Sequence, residues 1–282
     1  MKLGNRRKTG TEQFYTPPSL ASELVKATVA LIPDWQQRSY LEPASGTGSF
    51  IAALGALGVK DITAIDKYPL TSDALEVDYL DYLPPGNRYV TITNPPFGRN
   101  NALSVPFFNH AASHSDYIAF LVPRSWRKWS VQNRLDKNFH LIHDSDVFVA
   151  YENALGEPVA ERNELRTCFQ IWEKQEHQRA WLTAPDNGLL EKASPSEADI
   201  AIRVFGYGCG KVLRDFPRQP NTTLMFLRVQ QVDLISVLER LDYQRFSRNT
   251  AYTEALSLPE INFLLNEAIF GSGLHKSEQV EN

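Results

Sequence analysis

The stretch Asn94-Pro95-Pro96-Phe97 constrains the fold more strongly than any other part of the sequence. It follows residues 89–93, a run of β-branched and aromatic side chains that predicts a buried strand. Two consecutive prolines cannot continue the hydrogen-bond ladder of that strand, so the chain must leave the sheet at Asn94. The sequence therefore predicts an amide, a rigid turn and an aromatic ring together at a strand end.

These groups suit a flat heterocycle that carries an exocyclic amine. The side-chain oxygen of Asn94 and the carbonyl of Pro95 can each accept one hydrogen from an NH2 group, and Phe97 can stack on the ring. An ordinary Asn-Pro turn that ends a strand is the alternative interpretation. Because of its context, we predict Asn94, Pro95, Pro96 and Phe97 as the catalytic group.

A second motif lies upstream, where residues 40–42 predict a short strand and residues 43–48 a glycine loop before a helix at 50–57. Glycines in such a loop let a ligand approach the backbone at a helix N-terminus. Ile51 stands where a third glycine would complete the dinucleotide fingerprint, and no Gly-Lys-Ser/Thr follows. Glu42 directly precedes the loop and could face a cationic group of a ligand.

Acidic residues end three successive predicted strands, namely Glu42, Asp66 and Asp78, and Asn94 ends the next. Taken alone, Asp66 or Asp78 is more commonly a helix cap or a turn residue. In an open parallel sheet, however, the carboxyl ends of the strands border one crevice. The order of these residues therefore favours a shared binding site.

The 282 residues alternate between predicted strands and helices up to about residue 175 and then change character. Thr16 is a candidate N-cap and Pro17 a candidate first residue of the first helix. The glycines of residues 206–210 predict a hairpin or bulged turn, because no helix follows them. We predict four regions: a flexible basic arm (1–13), a catalytic domain (14–178), a smaller α+β domain (179–272) and a disordered tail (273–282).

Composition excludes several classes of protein. Cys168 and Cys209 are the only cysteines, which excludes a disulfide framework and favours the cytoplasm, and no run approaches a membrane-spanning length. The formal net charge of −4 gives no support to a non-specific nucleic-acid coat protein. His140 and His143 lie three residues apart on a predicted strand, which would point them to opposite faces, so we predict no metal site.

Taken in order, these motifs resemble the gamma class of S-adenosylmethionine-dependent adenine-N6 DNA methyltransferases. The resemblance covers residues 14 to about 175 and rests on Tyr15-Thr16-Pro17-Pro18, the run from Glu42 to Gly48, Asp66, Asp78 and Asn94–Phe97. Ser45 departs from the Cys that is frequent in the family. The resemblance implies a Rossmann-like class I methyltransferase sheet with helices on both faces. It also implies a smaller C-terminal α+β target-recognition region.

The family resemblance also implies roles for individual residues. Glu42 and the loop backbone would hold the amino and carboxylate groups of S-adenosylmethionine, Asp66 its ribose hydroxyls and Asp78 its adenine amine. The implied cofactor-binding residues are Tyr15, Thr16, Pro17, Glu42, Pro43, Ala44, Ser45, Gly46, Thr47, Gly48, Asp66, Asp78 and Asn94. The implied activity is site-specific transfer of a methyl group to N6 of a flipped-out adenine in double-stranded DNA, in a restriction-modification or phage-defence setting with a cognate nuclease.

Candidate contacts to backbone phosphates are the basic residues Arg99, Arg124, Arg127, Lys128, Arg203, Lys211 and Arg214. Phe148 and Tyr151 are candidates for a second wall of the base pocket and equally for core residues. Three alternative functions stay open from the sequence. They are an RNA adenine-N6 methyltransferase, a methyltransferase of protein glutamine, and a cofactor-binding DNA-recognition subunit that needs a partner.

Overall fold

The computed structural model describes residues 14–159 and 165–276. The predicted basic arm, residues 1–13, lies outside the described residues. By its internal contacts the chain divides into two compact units, one comprising residues 1–123 and 133–180 and the other comprising residues 124–132 and 181–282. No helix in the described ranges is both long and apolar enough to cross a membrane.

The first unit is built on a seven-stranded sheet with the order 3-2-1-4-5-7-6. Its strands are β1 (Tyr40–Glu42), β2 (Ile62–Asp66), β3 (Leu75–Glu76), β4 (Tyr89–Thr93), β5 (Ser115–Pro123), β6 (Phe139–Val147) and β7 (Thr167–Lys174). The first five strands pair in parallel, whereas β7 is antiparallel to both β5 and β6. Helices α1 (Pro18–Val29), α2 (Ser49–Ala56) and α3 (Ser104–Ala111) flank the sheet.

This topology confirms the predicted fold class, a Rossmann-like α/β sheet of the doubly wound type. The central strands read as continuous apolar runs because both faces of a parallel sheet are covered. All residues of β1 and β4 are buried, including the polar Glu42 and Thr93. The sheet therefore places polar groups at its buried centre, where an unpaired polar group costs free energy.

Three local predictions were wrong. Helix α1 begins at Pro18, and its N-cap is Pro17, so Thr16 does not cap it. The third strand ends at Glu76, and Asp78 instead caps the short 3-10 helix Tyr79–Asp81 by accepting a hydrogen bond from the backbone of Leu80. A bulge at Ile142 breaks the alternation of β6, so His140 and His143 face the same side.

Each of these two histidines has its own neighbour. His140 Nε2 lies 2.9 Å from His177 O, and His143 Nε2 lies 3.0 Å from Ser145 Oγ. Within the described residues, no group of three or more His, Cys, Asp or Glu side chains is arranged to hold a metal ion.

The second unit contains a four-stranded antiparallel sheet with the order 10-9-11-8. Its elements are α4 (Trp129–Gln132), β8 (Leu190–Lys192), β9 (Ile200–Arg203), β10 (Val212–Leu213), β11 (Leu224–Val229), α5 (Asp233–Leu238), α6 (Gln244–Ser247) and α7 (Leu258–Phe270). Apolar side chains from this sheet and its helices form one cluster that includes Ile200, Leu227 and Leu265. The hairpin between β9 and β10 follows the prediction for residues 206–210.

The division between the units lies after residue 180, and the predicted domain boundary at 178 stays a prediction. The sequence did not indicate that residues 124–132 group with the second unit. Residues 273–276 of the predicted tail make contacts, because Asn187 Nδ2 donates a hydrogen bond to His275 O at 3.0 Å. Residues 277–282 of that tail lie outside the described residues.

Lys128 anchors the segment 124–132 within the second unit. Its ammonium donates hydrogen bonds to Glu260 Oε1 at 2.9 Å and to the carbonyls of Phe246 and Ala255 at 3.0 and 2.8 Å. Its side chain is 15% exposed, and that of Glu260 is 2% exposed. With all its hydrogens directed inward, Lys128 cannot serve as the phosphate contact that the sequence suggested.

We predict that Lys128→Met destabilises the second unit by about 3–5 kcal/mol, because the change leaves the carboxylate of Glu260 buried without its cation. The measurement is the midpoint of urea unfolding. The matched control is Arg214→Met, which removes the cation of the exposed Arg214–Glu239 pair and should leave that midpoint nearly unchanged. Equal shifts in the two variants would contradict the buried role of Lys128.

Candidate functional site

The strand register brings Glu42, Asp66 and Asn94 to one edge of the sheet. Glu42 pairs with Ala64 of β2, and Leu41 pairs with Thr91 of β4. Asp66 and Asn94 therefore each lie two residues beyond the level of Glu42, on either side of it. The strand order reverses between β1 and β4, and the crevice beyond such a reversal is where open α/β sheets bind ligands.

The side chain of Asn94 is held in a defined orientation. Its Nδ2 donates a hydrogen bond to the carbonyl oxygen of Phe14 at 3.2 Å. Its Oδ1 is buried and has no hydrogen-bond partner among the described residues. An unpaired buried acceptor costs free energy, so this oxygen is suited to a donor that arrives from outside the chain.

The turn after Asn94 presents a second acceptor. Pro95 is buried, and no backbone N–H in the described part of the chain donates to its carbonyl. The carbonyl of Phe97, by contrast, accepts hydrogen bonds from the backbone of Leu103 and Ser104 at 3.3 and 3.4 Å. Gly98 makes this possible, because its φ is +67° and a Cβ there would lie 2.8 Å from the nitrogen of Leu103.

The ring of Phe97 is half-buried, and Pro96 beside it is also half-buried. One face of the turn is therefore packed, and part of the aromatic ring stays accessible. The predicted group Asn94–Phe97 thus occurs as one continuous turn at the end of β4, with an amide oxygen and a carbonyl oxygen available.

Glu42 lies at the buried centre of the sheet. Its Oε1 accepts a hydrogen bond from the backbone of Ala44 at 3.1 Å, whereas Oε2 has no partner within the described ranges. Burial raises the pKa of Glu42 to about 8. Thr93 offsets part of this rise from nearby, although its hydroxyl does not reach hydrogen-bonding geometry with the carboxyl group.

The glycine loop lies between β1 and α2, beside the end of β2. Gly46 and Gly48 have φ values of +48° and +81°, a backbone conformation that favours glycine. The backbone nitrogen of Gly46 donates to Asp66 Oδ2 at 2.8 Å, and that of Tyr68 donates to Oδ1 at 2.8 Å. These bonds tie the loop between β1 and α2 to the end of β2, and each carboxylate oxygen retains capacity for a further donor.

The ring of Tyr15 packs directly on Gly46. A Cβ at position 46 would lie 2.6 Å from Cδ1 of this ring. Burial, and then the nearby charge of Asp66, raise the pKa of the Tyr15 hydroxyl. Tyr15 thus lies over the glycine loop.

Residues 14–16 are held in place by a short hairpin that follows β6. The backbones of Tyr15 and Glu152 exchange two hydrogen bonds, at 3.0 and 3.1 Å, and the rings of Phe14 and Tyr151 meet edge to face at 6.1 Å. Thr16 is buried, and its hydroxyl lacks a partner in the described part of the molecule. This hydroxyl is available to a ligand because it does not cap α1.

Asp78 has a different environment from the other acids. Its Oδ2 forms an ion pair with Lys67 at 2.9 Å, and its Oδ1 accepts from Leu80. The hydrogen bond from Lys67 lowers the pKa of this carboxyl. Asp78 is half-exposed, so it stands at the rim of the site rather than in its buried centre.

The candidate basic residues are divided between the units. Arg99 lies in the first unit, is exposed and follows Gly98. Arg124, Arg127, Lys128, Arg203, Lys211 and Arg214 all belong to the second unit. Arg214 forms a two-point hydrogen-bonded pair with Glu239, which makes it a weaker phosphate ligand than Arg203 or Lys211.

Two aromatic candidates for the base pocket differ in exposure. Phe148 is 73% exposed, and Tyr151 is 1% exposed beneath Phe14. Tyr151 is therefore a supporting residue of the 14–16 segment. The sequence did not reveal two functional groups, the Phe14 carbonyl and the Glu152 backbone, because any residue type can supply a main-chain oxygen or nitrogen.

No protein-family model matches the sequence, and no curated protein matches it. Among solved structures, similar folds include a proposed RNA methyltransferase from Pyrococcus horikoshii, with 19% identity, 60% of this chain and 91% of that chain covered, and a TM-score of 0.47. A proposed class I S-adenosylmethionine-dependent methyltransferase from Listeria monocytogenes has 19% identity, coverage of 58% and 62%, and a TM-score of 0.44.

A modification subunit of a proposed type I restriction enzyme from Vibrio vulnificus has 16% identity, and the match covers 59% of this chain and 46% of that one with a TM-score of 0.42. Likenesses at this level carry no argument about function.

We predict that the Glu42→Gln variant is more stable than the wild type at high pH, and that this difference in stability grows as pH rises. The carboxyl group titrates near 8 when folded and near 4.5 when unfolded, so the folded state holds a proton that the unfolded state releases between these values. Wild-type stability should fall across this window, reaching a deficit of up to about 5 kcal/mol relative to the glutamine variant above pH 8. Urea unfolding from pH 4 to 9 measures the difference.

Glu23→Gln removes one carboxylate from an exposed position and serves as the control for loss of charge. Parallel stability curves for wild type and Glu42→Gln over the whole pH range would show that Glu42 is ionised in the folded protein.

Proposed function

We propose that this chain is an S-adenosylmethionine-dependent methyltransferase that modifies N6 of adenine in double-stranded DNA. The observation that carries the proposal is the orientation of Asn94. Its amide nitrogen donates to the Phe14 carbonyl, so its oxygen is left as a buried acceptor, and the following residue, Pro95, carries a second carbonyl without a backbone donor. An exocyclic NH2 group has the two hydrogens that this pair of acceptors requires.

The buried acceptors around the glycine loop support S-adenosylmethionine as cofactor. Glu42 Oε2, Thr16 Oγ1 and Ser45 Oγ all lack partners in the residues that the structure describes. The amino group of the cofactor is a cation that would shift Glu42 to its ionised form, because an opposite charge favours the carboxylate. The donors present in the cofactor thus match the acceptors that this crevice leaves unsatisfied.

We assign the remaining contacts to the neighbouring residues. The backbone of residues 43–48 would lie against the amino acid portion of the cofactor, and Tyr15 and Pro17 would flank it. The carboxylate of Asp66 would accept hydrogen bonds from the ribose hydroxyls, and it would keep the hydrogen bond from the backbone N–H of Gly46. Asp78 would meet the adenine amine at the rim, with Lys67 keeping it ionised.

The chemical task of the site is to make an unreactive nitrogen attack. The lone pair of an aromatic amine is spread into the ring, so the amine is a poor nucleophile. Acceptance of both of its hydrogens, by Asn94 Oδ1 and Pro95 O, favours a pyramidal nitrogen and stabilises the positive charge that develops there. The cofactor supplies the activated methyl group and its own leaving group.

Orientation contributes the rest of the rate. A fixed amide and a proline-stiffened turn hold the amine in one position, and such alignment is worth on the order of 7 kcal/mol or more. Phe97 offers a stacking surface for the base. Because a base inside a duplex cannot reach a crevice at a strand end, the target adenine must rotate out of the helix.

We propose duplex DNA as the substrate because the Tyr15-Thr16-Pro17-Pro18 motif precedes the glycine loop and a separate unit follows the catalytic one. A cognate nuclease would accompany the enzyme in a restriction-modification or phage-defence system. The experiment is transfer of labelled methyl from S-adenosylmethionine to unmethylated genomic DNA and to total RNA, followed by nucleoside analysis. If N6-methyladenine appears in RNA alone, the substrate is RNA and not DNA.

Asn94→Ala should lower the rate of methyl transfer at least about 100-fold, because it removes one of the two acceptors that stabilise the attacking amine. Binding of S-adenosylmethionine, measured by calorimetry, should be largely retained. Asn87→Ala, at an exposed loop position, is the control for loss of an asparagine side chain. Undiminished transfer by Asn94→Ala would remove the basis of the proposed mechanism.

Gly46→Ala and Gly58→Ala form a matched pair that tests the cofactor site. Both glycines have positive φ, +48° and +85°, so both substitutions strain the backbone. Only the methyl group at position 46 meets the ring of Tyr15, whereas nothing lies within 4 Å at position 58. We expect calorimetry to show loss of cofactor binding in Gly46→Ala alone; equal affinities in both variants would place the cofactor elsewhere.

A further inference from the structure

The loop between β9 and β10 presents an aromatic residue to solvent on a stiff support. Tyr207 at its tip is 100% exposed, and Phe205 at its base is 48% exposed. Large exposed aromatic side chains are costly to hydrate, and a tyrosine with no packing contact contributes nothing to the fold around it. Neither residue belongs to the crevice of the first unit or to the basic residues considered above.

The support is stiff because several backbone N–H groups of the loop donate hydrogen bonds. Gly210 N donates to Arg203 O at 2.7 Å, Lys211 N to Gly208 O at 3.0 Å, and Gly206 N to Glu254 O at 3.0 Å. A Cβ at Gly210 would lie 2.6 Å from Tyr243, so the loop rests directly on the core of the second unit. Tyr207 is thus held out on a fixed turn that loses little freedom when a partner binds.

The charge beside the loop is positive. The side chain of Arg203 lies beside Gly208, because a Cβ built at position 208 would be 3.7 Å from Arg203 Cδ. Lys211 comes directly after the loop and is exposed. Neither residue forms an ion pair with any described residue. The nearby carboxylate of Glu254 is paired with Arg248 at 3.4 Å, so it does not cancel these two charges.

An exposed aromatic ring in a loop that two unpaired cations flank in sequence matches the chemistry of a nucleic acid, which offers flat bases and phosphates. We propose that the Tyr207 loop is a DNA contact of the second unit. In it, Tyr207 inserts its ring against a base step of the duplex, and Arg203 and Lys211 bind the adjoining phosphates. The inference rests on the proposed function for the choice of DNA over other nucleic acids.

The test is binding of the full chain to a fluorescently labelled pool of random-sequence duplex DNA, measured by anisotropy. Tyr207→Ala should weaken binding by about 5- to 100-fold, and Tyr207→Phe should bind as the wild type does, because the ring supplies the stacking surface. Lys211→Gln should reduce the dependence of log affinity on log salt by about one unit. Val232→Ala, 75% exposed in the same unit, is the control.

Methyl transfer by the same proteins separates this inference from the proposed function. If wild type methylates DNA and Tyr207→Ala binds DNA as tightly as wild type does, the loop contact is overturned and the function stands. If Tyr207→Ala weakens binding but no chain transfers methyl, the loop contact stands and the function is overturned. Dependence on Tyr207 with an RNA pool but not with duplex DNA would overturn DNA as the partner.

Discussion

The parallel pairing of β1 with both β2 and β4 is the constraint on which the candidate site depends. It sets three chemically different side chains, Glu42, Asp66 and Asn94, at one edge of the sheet although 52 positions separate the first from the last. A slip of one residue in any of these strands would turn every one of its side chains to the opposite face of the sheet, where it would meet different packing partners. The stability of the sheet and the geometry of the site therefore have a single origin.

In the absence of a ligand, the unsatisfied polar atoms of the candidate site lower the stability of the folded chain. Glu42, Thr16 and Asn94 each hold a buried oxygen that no described residue satisfies, and each such atom costs on the order of 1–3 kcal/mol. The packing of Tyr15 on Gly46 and the bond from Asn94 to the Phe14 carbonyl keep these oxygens from turning towards other partners. The core alone would be more stable with apolar groups at these positions.

Much of this could be predicted from the sequence, for identifiable reasons. Strands β1 and β4 are buried along their whole length and β2 is partly buried, so all three are rich in apolar and β-branched residues, and prolines mark the end of β4. The cap of α1 and the end of β3 were misplaced by one or two residues, because adjacent prolines and adjacent acids offer competing solutions. Phe14 and Glu152 act through main-chain atoms. Because any residue type supplies these atoms, the sequence gives no signal for them. Lys128 looked like a surface cation because its partner, Glu260, is 132 residues away.

Residues 124–132 belong to the second unit although they lie within the sequence of the first, and this affects how such a protein can evolve. Trp129 packs edge to face on Phe246 and Phe263, so the core of the second unit is assembled from two separate stretches of chain. A recombination that exchanged only the part after residue 180 would give the incoming unit a foreign tryptophan and a foreign lysine. New surface properties of this unit should therefore arise more readily by point substitution on its exposed loops than by exchange of the part after residue 180 alone.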